Sequence, residues 1–124
     1  RSAETRIRTM AGVYVDYATE HPDRWRLVFE HQAPRGLPTP ELMKVRRDVL
    51  FEMVAENLRE LSPNHIAQEV DHTATALWSG IHGICILALT GKLYLGGAFS
   101  MVKLIDTLID SVLNEFRRTQ TADR

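Results

Sequence analysis

The side chains able to do chemistry fall into two sets. Tyr14, Tyr17, Trp25, Phe29, Phe51, Trp78, His82 and Cys85 are residue types that line small-molecule pockets. Such pockets are mostly apolar with a few placed polar groups, and phenols, an indole and an imidazole supply those. Taken singly, the same residues read as ordinary core; only the set points to a cavity. His82 is the sole imidazole in a long apolar stretch and is the candidate polar anchor, against the alternative of a core histidine with a satisfied ring nitrogen. The second set is His65, Glu69 and His72, spaced i, i+4 and i+7 as on one helix face. Glu69-Val70-Asp71-His72 gives half of a carboxylate–histidine metal motif. The matching second Glu-x-x-His is missing, so a polar outer face is the better reading, and no metal or other cofactor is expected. Cys85 has no cationic neighbour in sequence and reads as an inert thiol. No Ser-His-Asp arrangement, phosphate loop or paired-carboxylate signature is present, and no catalytic residue is assigned.

The elements that must position these residues are all helical. Apolar residues recur at helical rather than alternating spacing, and Gly and Pro fall mostly where helices should stop. The first helix is expected over Ala3 to Glu20, with Ile7, Met10, Ala11, Tyr14, Tyr17 and Ala18 on one face. Pro22 opens a short second helix to His31, whose apolar side is Trp25, Val28 and Phe29. A loop over Ala33 to Thr39 leads to Thr39-Pro40-Glu41, an N-cap, a first-turn proline and an acidic residue. The third helix runs to Leu61, burying Leu42, Val45, Val49 and Met53 with Leu50, Val54 and Leu61 beside them. Lys44, Asp48, Glu52, Glu56 and Arg59 form its solvated side. Ser62-Pro63 reads as the opening of a fourth helix that ends near Gly91, a C′ glycine. After a loop with Gly96 and Gly97, Ser100 caps a fifth helix, Met101 to Arg118, and Thr119 to Arg124 read as a polar tail.

Bulk properties bound the function. Fifteen Lys and Arg against sixteen Asp and Glu leave a formal charge of -1, without the basic excess of a DNA-binding domain. One cysteine excludes a disulfide framework. At this length, with 44% hydrophobic residues, one domain with one core is expected, soluble and cytoplasmic. The polar start is unlike a signal peptide. Because the chain opens on Arg1 and enters a helix almost at once, it reads as a piece of a longer protein. The apolar stretch Ala74 to Leu89 measures sixteen residues, below the roughly 20 needed to cross a bilayer.

The last two helices carry more apolar surface than one small core can cover. At 100° per residue, the fourth helix has one face of Ala76, Gly80, Gly83 and Leu87, a second of Leu77, Ile81, Ile84 and Ala88, and a third of Trp78, His82, Cys85 and Leu89. A helix apolar all round must be buried all round. Each helical glycine costs about 1 kcal/mol relative to alanine, which close approach of another helix at Gly80 and Gly83 can offset. On the fifth helix Met101, Val102, Leu104, Ile105, Leu108, Ile109, Val112, Leu113 and Phe116 cover about half the circumference. A two-fold homodimer using Ala76, Gly80, Gly83, Leu87, Met101, Leu104, Ile105, Leu108, Ile109, Val112 and Phe116 would bury the excess.

Trp78-Ser79-Gly80-Ile81-His82-Gly83 resembles the Trp-x-x-x-His-Gly signature of one branch of the tetracycline-repressor-like family of transcription regulators. Tyr14 to Phe29, with its His21-Pro22 break, is similar to that family's tyrosine-rich helix and the short aromatic helix after it. The order and lengths of the five helices agree over nearly the whole chain. The resemblance implies an effector-binding and dimerisation domain over residues 1–118, in which the last two helices of each subunit build a four-helix interface. A cavity among the other helices would take a small molecule, altering the spacing of two N-terminal helix-turn-helix headpieces and so the operator affinity, as in a repressor. That headpiece is absent from these residues, so DNA would be reached only through it. The competing readings are a helical module that docks a different protein, and a bundle metal protein using His65, Glu69 and His72.

Overall fold

The computed structural model describes residues 2–29, 41–93 and 100–119, with backbone only at 28, 29 and 41–46. It is an all-α bundle of α1 (Ala3–Glu20), α2 (Pro22–Phe29), α3 (Glu41–Leu61), α4 (Ala67–Leu89) and α5 (Met101–Thr119). The expected loop over 33–39, the Thr39-Pro40 cap, the Gly96-Gly97 loop and the tail from 120 lie outside the described residues, as do Glu30 and His31.

Local chemistry accounts for the helix ends. Ser2 caps α1 by accepting from the Thr5 amide at 3.1 Å. Ser100 does the same for α5, accepting from Lys103 at 3.3 Å. At the end of α4, Gly91 takes φ +72°, the left-handed conformation in which a Cβ would be strained. There Lys92 N–H bonds to the Leu87 carbonyl at 2.8 Å and Gly91 N–H to that of Ala88 at 3.2 Å, the paired pattern that closes a helix on glycine.

The start of α4 differs from expectation. Ser62 is fully buried, and its amide closes α3 on the Leu58 carbonyl at 3.0 Å. The chain then turns through Pro63 to His65, and α4 begins at Ala67. Ile66, in the cap position, has no acceptor of its own, so the Glu69 carboxylate reaches back to its amide at 3.1 Å. His65, ahead of the helix, stacks on Phe116 of α5 with centroids 3.9 Å apart. Its Nε2 donates to the Phe116 carbonyl at 2.8 Å, and Nδ1 lies 3.2 Å from Glu69. His65, Glu69 and His72 are therefore not a one-helix triad. Both nitrogens of His65 are spent on joining α4 to α5, and among the described residues no group of three or more His, Cys, Asp or Glu is placed to hold a metal.

Packing centres on α4, which contacts α3, α5 and α1. Val70, Ala74, Leu77, Ile81 and Cys85 are its buried stripe. On α3 the buried stripe is Ala55 and Leu58, flanked by Leu50, Phe51, Val54 and Leu61. Val49 and Met53, expected inside, are 54% and 45% exposed. Two apolar stripes at helical spacing compete on α3, and docking against α1 and α4 selects the one that continues to Leu61. Leu42 and Val45 fall among residues whose side chains are not described. Asp48, Glu52, Glu56 and Arg59 are solvated as expected, with Arg59 paired to Glu52 at 2.8 Å. On α5, Ile105, Ile109, Leu113 and Phe116 are core, while Val102 stands 67% exposed.

The glycine at position 80 is a notch for α5 of the same subunit. A Cβ built there would lie 2.6 Å from Leu108 Cδ2, so the leucine occupies the space that a side chain would need. α4 has 23 residues and is long and apolar enough to cross a membrane. The sixteen-residue measure of its apolar stretch thus undercounts the helix; what α4 does here is carry the packing of its neighbours.

Charged side chains fasten α1 to its neighbours. Glu4 pairs with Arg117 of α5 and, one turn on, with Arg8; Arg8 pairs with Asp110; Arg6 pairs with Glu60 of α3. Hydrogen bonding from Arg117, opposed in part by desolvation, holds the Glu4 carboxyl below its ordinary range.

Two measurements check this account. Gly12 lies within α1 with nothing near its missing side chain, so Gly12→Ala should stabilise by about 1 kcal/mol, whereas Gly80→Leu should destabilise by about 1–3 kcal/mol through overpacking; urea unfolding reads both. Because the folded-state pKa of Glu4 is depressed, its contribution is present above the ordinary carboxylate value and disappears as pH falls through the folded value. Glu4→Gln should therefore flatten the acid limb of a melting-temperature profile, by under about 1 kcal/mol for so accessible a pair.

Candidate functional site

The residues that converge are contributed by α1, α2 and α4. Tyr14 is buried on α1 and Trp25 is fully buried on α2, their rings edge-to-face with centroids 6.1 Å apart. His82, one turn after Trp78 on α4, lies between them. Its ring stacks on Trp25 at 4.8 Å, tilts against Trp78 at 5.2 Å, and its Nδ1 meets the Tyr14 hydroxyl at 2.5 Å. His82 therefore has a ring nitrogen satisfied within the fold, by Tyr14. The Tyr14–His82 bond joins α1 to α4 beside the α2 tryptophan, a polar contact in an aromatic setting.

The rest of the expected set lies around this centre. Tyr17 is half-buried and tilts against His21 at 5.9 Å, closing the α1–α2 corner. Phe51 packs against the core from α3, closer in than its edge position on the helix suggests. Cys85 is fully buried, and desolvation pushes its thiol up to about 11, which keeps it protonated and unreactive near neutrality. The side chain of Phe29 lies outside the described ones.

A cleft runs beside the aromatic cluster between α1, α3 and α4. Tyr14 and Trp78 form its wall nearest His82, and Ile7, Met10 and Ala11 continue it along α1. Leu50 and Val54 close it from α3, Leu77 and Ile81 from α4. Its free space is about 30 Å³, room for a water-sized group rather than for the several hundred cubic ångströms of a ligand pocket. The sequence reading missed these aliphatic walls, because each is also a good core residue. One turn before Leu50, on the stripe that Leu50 and Val54 share, Arg47 has a buried Nε with no hydrogen-bond partner among the described residues; it is not one of the residues lining the cleft.

The proposed dimer residues divide in two. Ile105, Ile109 and Phe116 are buried in the subunit's own core and have no surface to offer, because α5 turns them towards α1 and α4. Gly80 receives Leu108 from within the chain. Ala76 and Leu87 are exposed, Gly83 has open space before it, and Met101, Leu104, Leu108 and Val112 are half-buried. These are the apolar positions of α4 and α5 that the subunit's own core leaves at least partly exposed.

Residues 7–112 match the family model described as "Tetracyclin repressor-like, C-terminal domain". The chain belongs to the tetracyclin repressor-like C-terminal domain family. Comparison with curated proteins and with solved structures gives no match. Tetracyclin repressor-like proteins are typically homodimers that bind DNA and small-molecule effectors. Membership agrees with the all-α architecture, and the matched span contains both the aromatic cluster and most of the α4–α5 face.

The Tyr14 hydroxyl bond is open to test. Tyr14→Phe should cost about 1 kcal/mol, the net value of a hydrogen bond lost with one partner left in place, measured by chemical denaturation.

Proposed function

We propose that this chain is the effector-binding and dimerisation domain of a transcription repressor, of the Trp-x-x-x-His-Gly branch, and that a small molecule bound among α1, α3 and α4 changes the regulator's affinity for DNA. DNA contact is assigned to a helix-turn-helix headpiece that these residues do not include. The mechanism is a shift between subunit arrangements, limited in size by the effector's preference for one of them.

The observation that carries this reading is the unspent apolar face of α4 and α5. Only 22% of the most apolar window of α4 is buried within the subunit, and Leu87, 43% exposed, leads a strip that continues through Gly83 to Leu104 and Leu108. A second copy, related by a two-fold axis, presents the same strip and buries both. The cleft supports the other half of the proposal: its walls come from three helices, so prising it open moves α1 relative to α4.

Sedimentation should find a homodimer. Leu87→Glu, which sets like charges into an isologous interface, should give a helical monomer with unchanged circular dichroism. A wild-type chain that stays monomeric at high concentration overturns the dimer reading.

A further inference from the structure

We infer that the effector is an amphipathic monocarboxylate, an apolar body seated in the cleft with its anionic end against Arg47. This rests on reading the cleft as the effector site and adds the chemical class of what enters it.

The body follows from the walls. Apart from the Tyr14 hydroxyl, already engaged by His82, every side chain lining the cleft is aliphatic, a thioether or an indole, and no charged group faces in. An ion placed there would be desolvated without a partner, so the inserted portion is uncharged. The narrow free space sets a condition: something must yield. Met10 is the half-buried wall residue best suited to that, because an unbranched thioether changes rotamer easily.

The head follows from Arg47. Arg6 bonds to Asn57 and Glu60, while Met10 and Tyr14 share the cleft with Val54 and Leu50, so α1 and α3 run antiparallel. Continuing that register sets Arg47 beyond the Tyr14 end of the cleft, beside the Tyr17 turn. Its Nε is shielded from solvent and has no hydrogen-bond partner among the described residues. Buried donors of this kind are almost always satisfied, and a guanidinium matches a carboxylate in both charge and geometry. An apolar slot with a guanidinium beyond one end, its Nε still unsatisfied, is complementary to a hydrophobic acid.

The test uses the 124-residue chain with octanoate, 1-octanol and octylammonium, read by thermal shift and by fluorescence of Trp25 and Trp78, its two tryptophans. Octanoate should bind about tenfold or more tighter than octanol, the ratio expected for one charge-assisted hydrogen bond, and octylammonium weakest of all. Arg47→Gln should erase the advantage of octanoate while leaving octanol binding intact, which also certifies the fold. Leu50→Trp, filling the cleft, should abolish binding of all three. Octanol or octylammonium binding as tightly as octanoate, or an octanoate preference that survives Arg47→Gln, overturns the carboxylate assignment. If those probes are still lost in Leu50→Trp, the cleft stands as an effector site. No binding by any probe overturns the inference outright, and the dimer found by sedimentation then decides separately whether the regulatory reading survives.

Discussion

The constraint on which this bundle depends is that α4 carries no charged side chain from Ala74 to Leu89 and is apolar over most of its surface there. One side is covered by α1 and α3 through Leu77, Ile81 and Cys85. Another is covered by α5, which comes close because position 80 has no side chain and Leu108 fills the notch. Of the remaining strip, Gly80 is met by Leu108, whereas among the described residues Ala76 and Leu87 stay exposed and Gly83 has open space before it. Hydrophobic burial is proportional to the area removed from water, so a helix left part-covered is a standing drive towards association. The architecture of the chain is the set of ways in which that one surface is hidden.

Polar contacts act differently: they choose geometry. Tyr14 and His82 form a bond between two helices that would otherwise meet only through shape, and the flat rings of Trp25 and Trp78 fix the imidazole plane. His65 pins the approach to α4 against the end of α5 through Nε2 and a ring stack on Phe116, while its Nδ1 meets Glu69 of α4. At the surface, Glu4, Arg8, Arg117 and Asp110 tie α1 to α5. Each such contact contributes little energy beside the core. Together they specify which turns of which helices face one another, and α1 is held on both sides of the cleft it lines. That is the property needed of an element whose displacement would report an occupant.

Much of this was legible in the chain itself. The bounds of α1 follow from its apolar period and the His21-Pro22 break, and those of α5 from the Ser100 cap. The closure of α4 was visible in Gly91, because a positive φ is nearly a glycine property. The aromatic cluster was legible as a set, since α1, α2 and α4 each carry one or two large rings on the face that also carries small core residues. What could not be read was the choice between equivalent faces. Val49 and Met53 share a stripe as regular as that of Leu50, Val54 and Leu61, and intrinsic periodicity is blind to which one a neighbouring helix will meet. Ser62-Pro63 mimics a helix start, yet burial of Ser62 under the bundle delays α4 until Ala67, where Glu69 supplies the missing cap.

The sequence by itself determined the helices, their order and their family, because periodicity, caps and breakers act over a few residues and are written locally. Tertiary structure alone decided that Ile105, Ile109 and Phe116 are spent inside the subunit, that Leu108 takes the Gly80 notch, and that Arg47 is left with a buried nitrogen unsatisfied among the described residues. Those outcomes depend on residues distant in the chain competing for the same space, and competition for space exists only once the helices are packed.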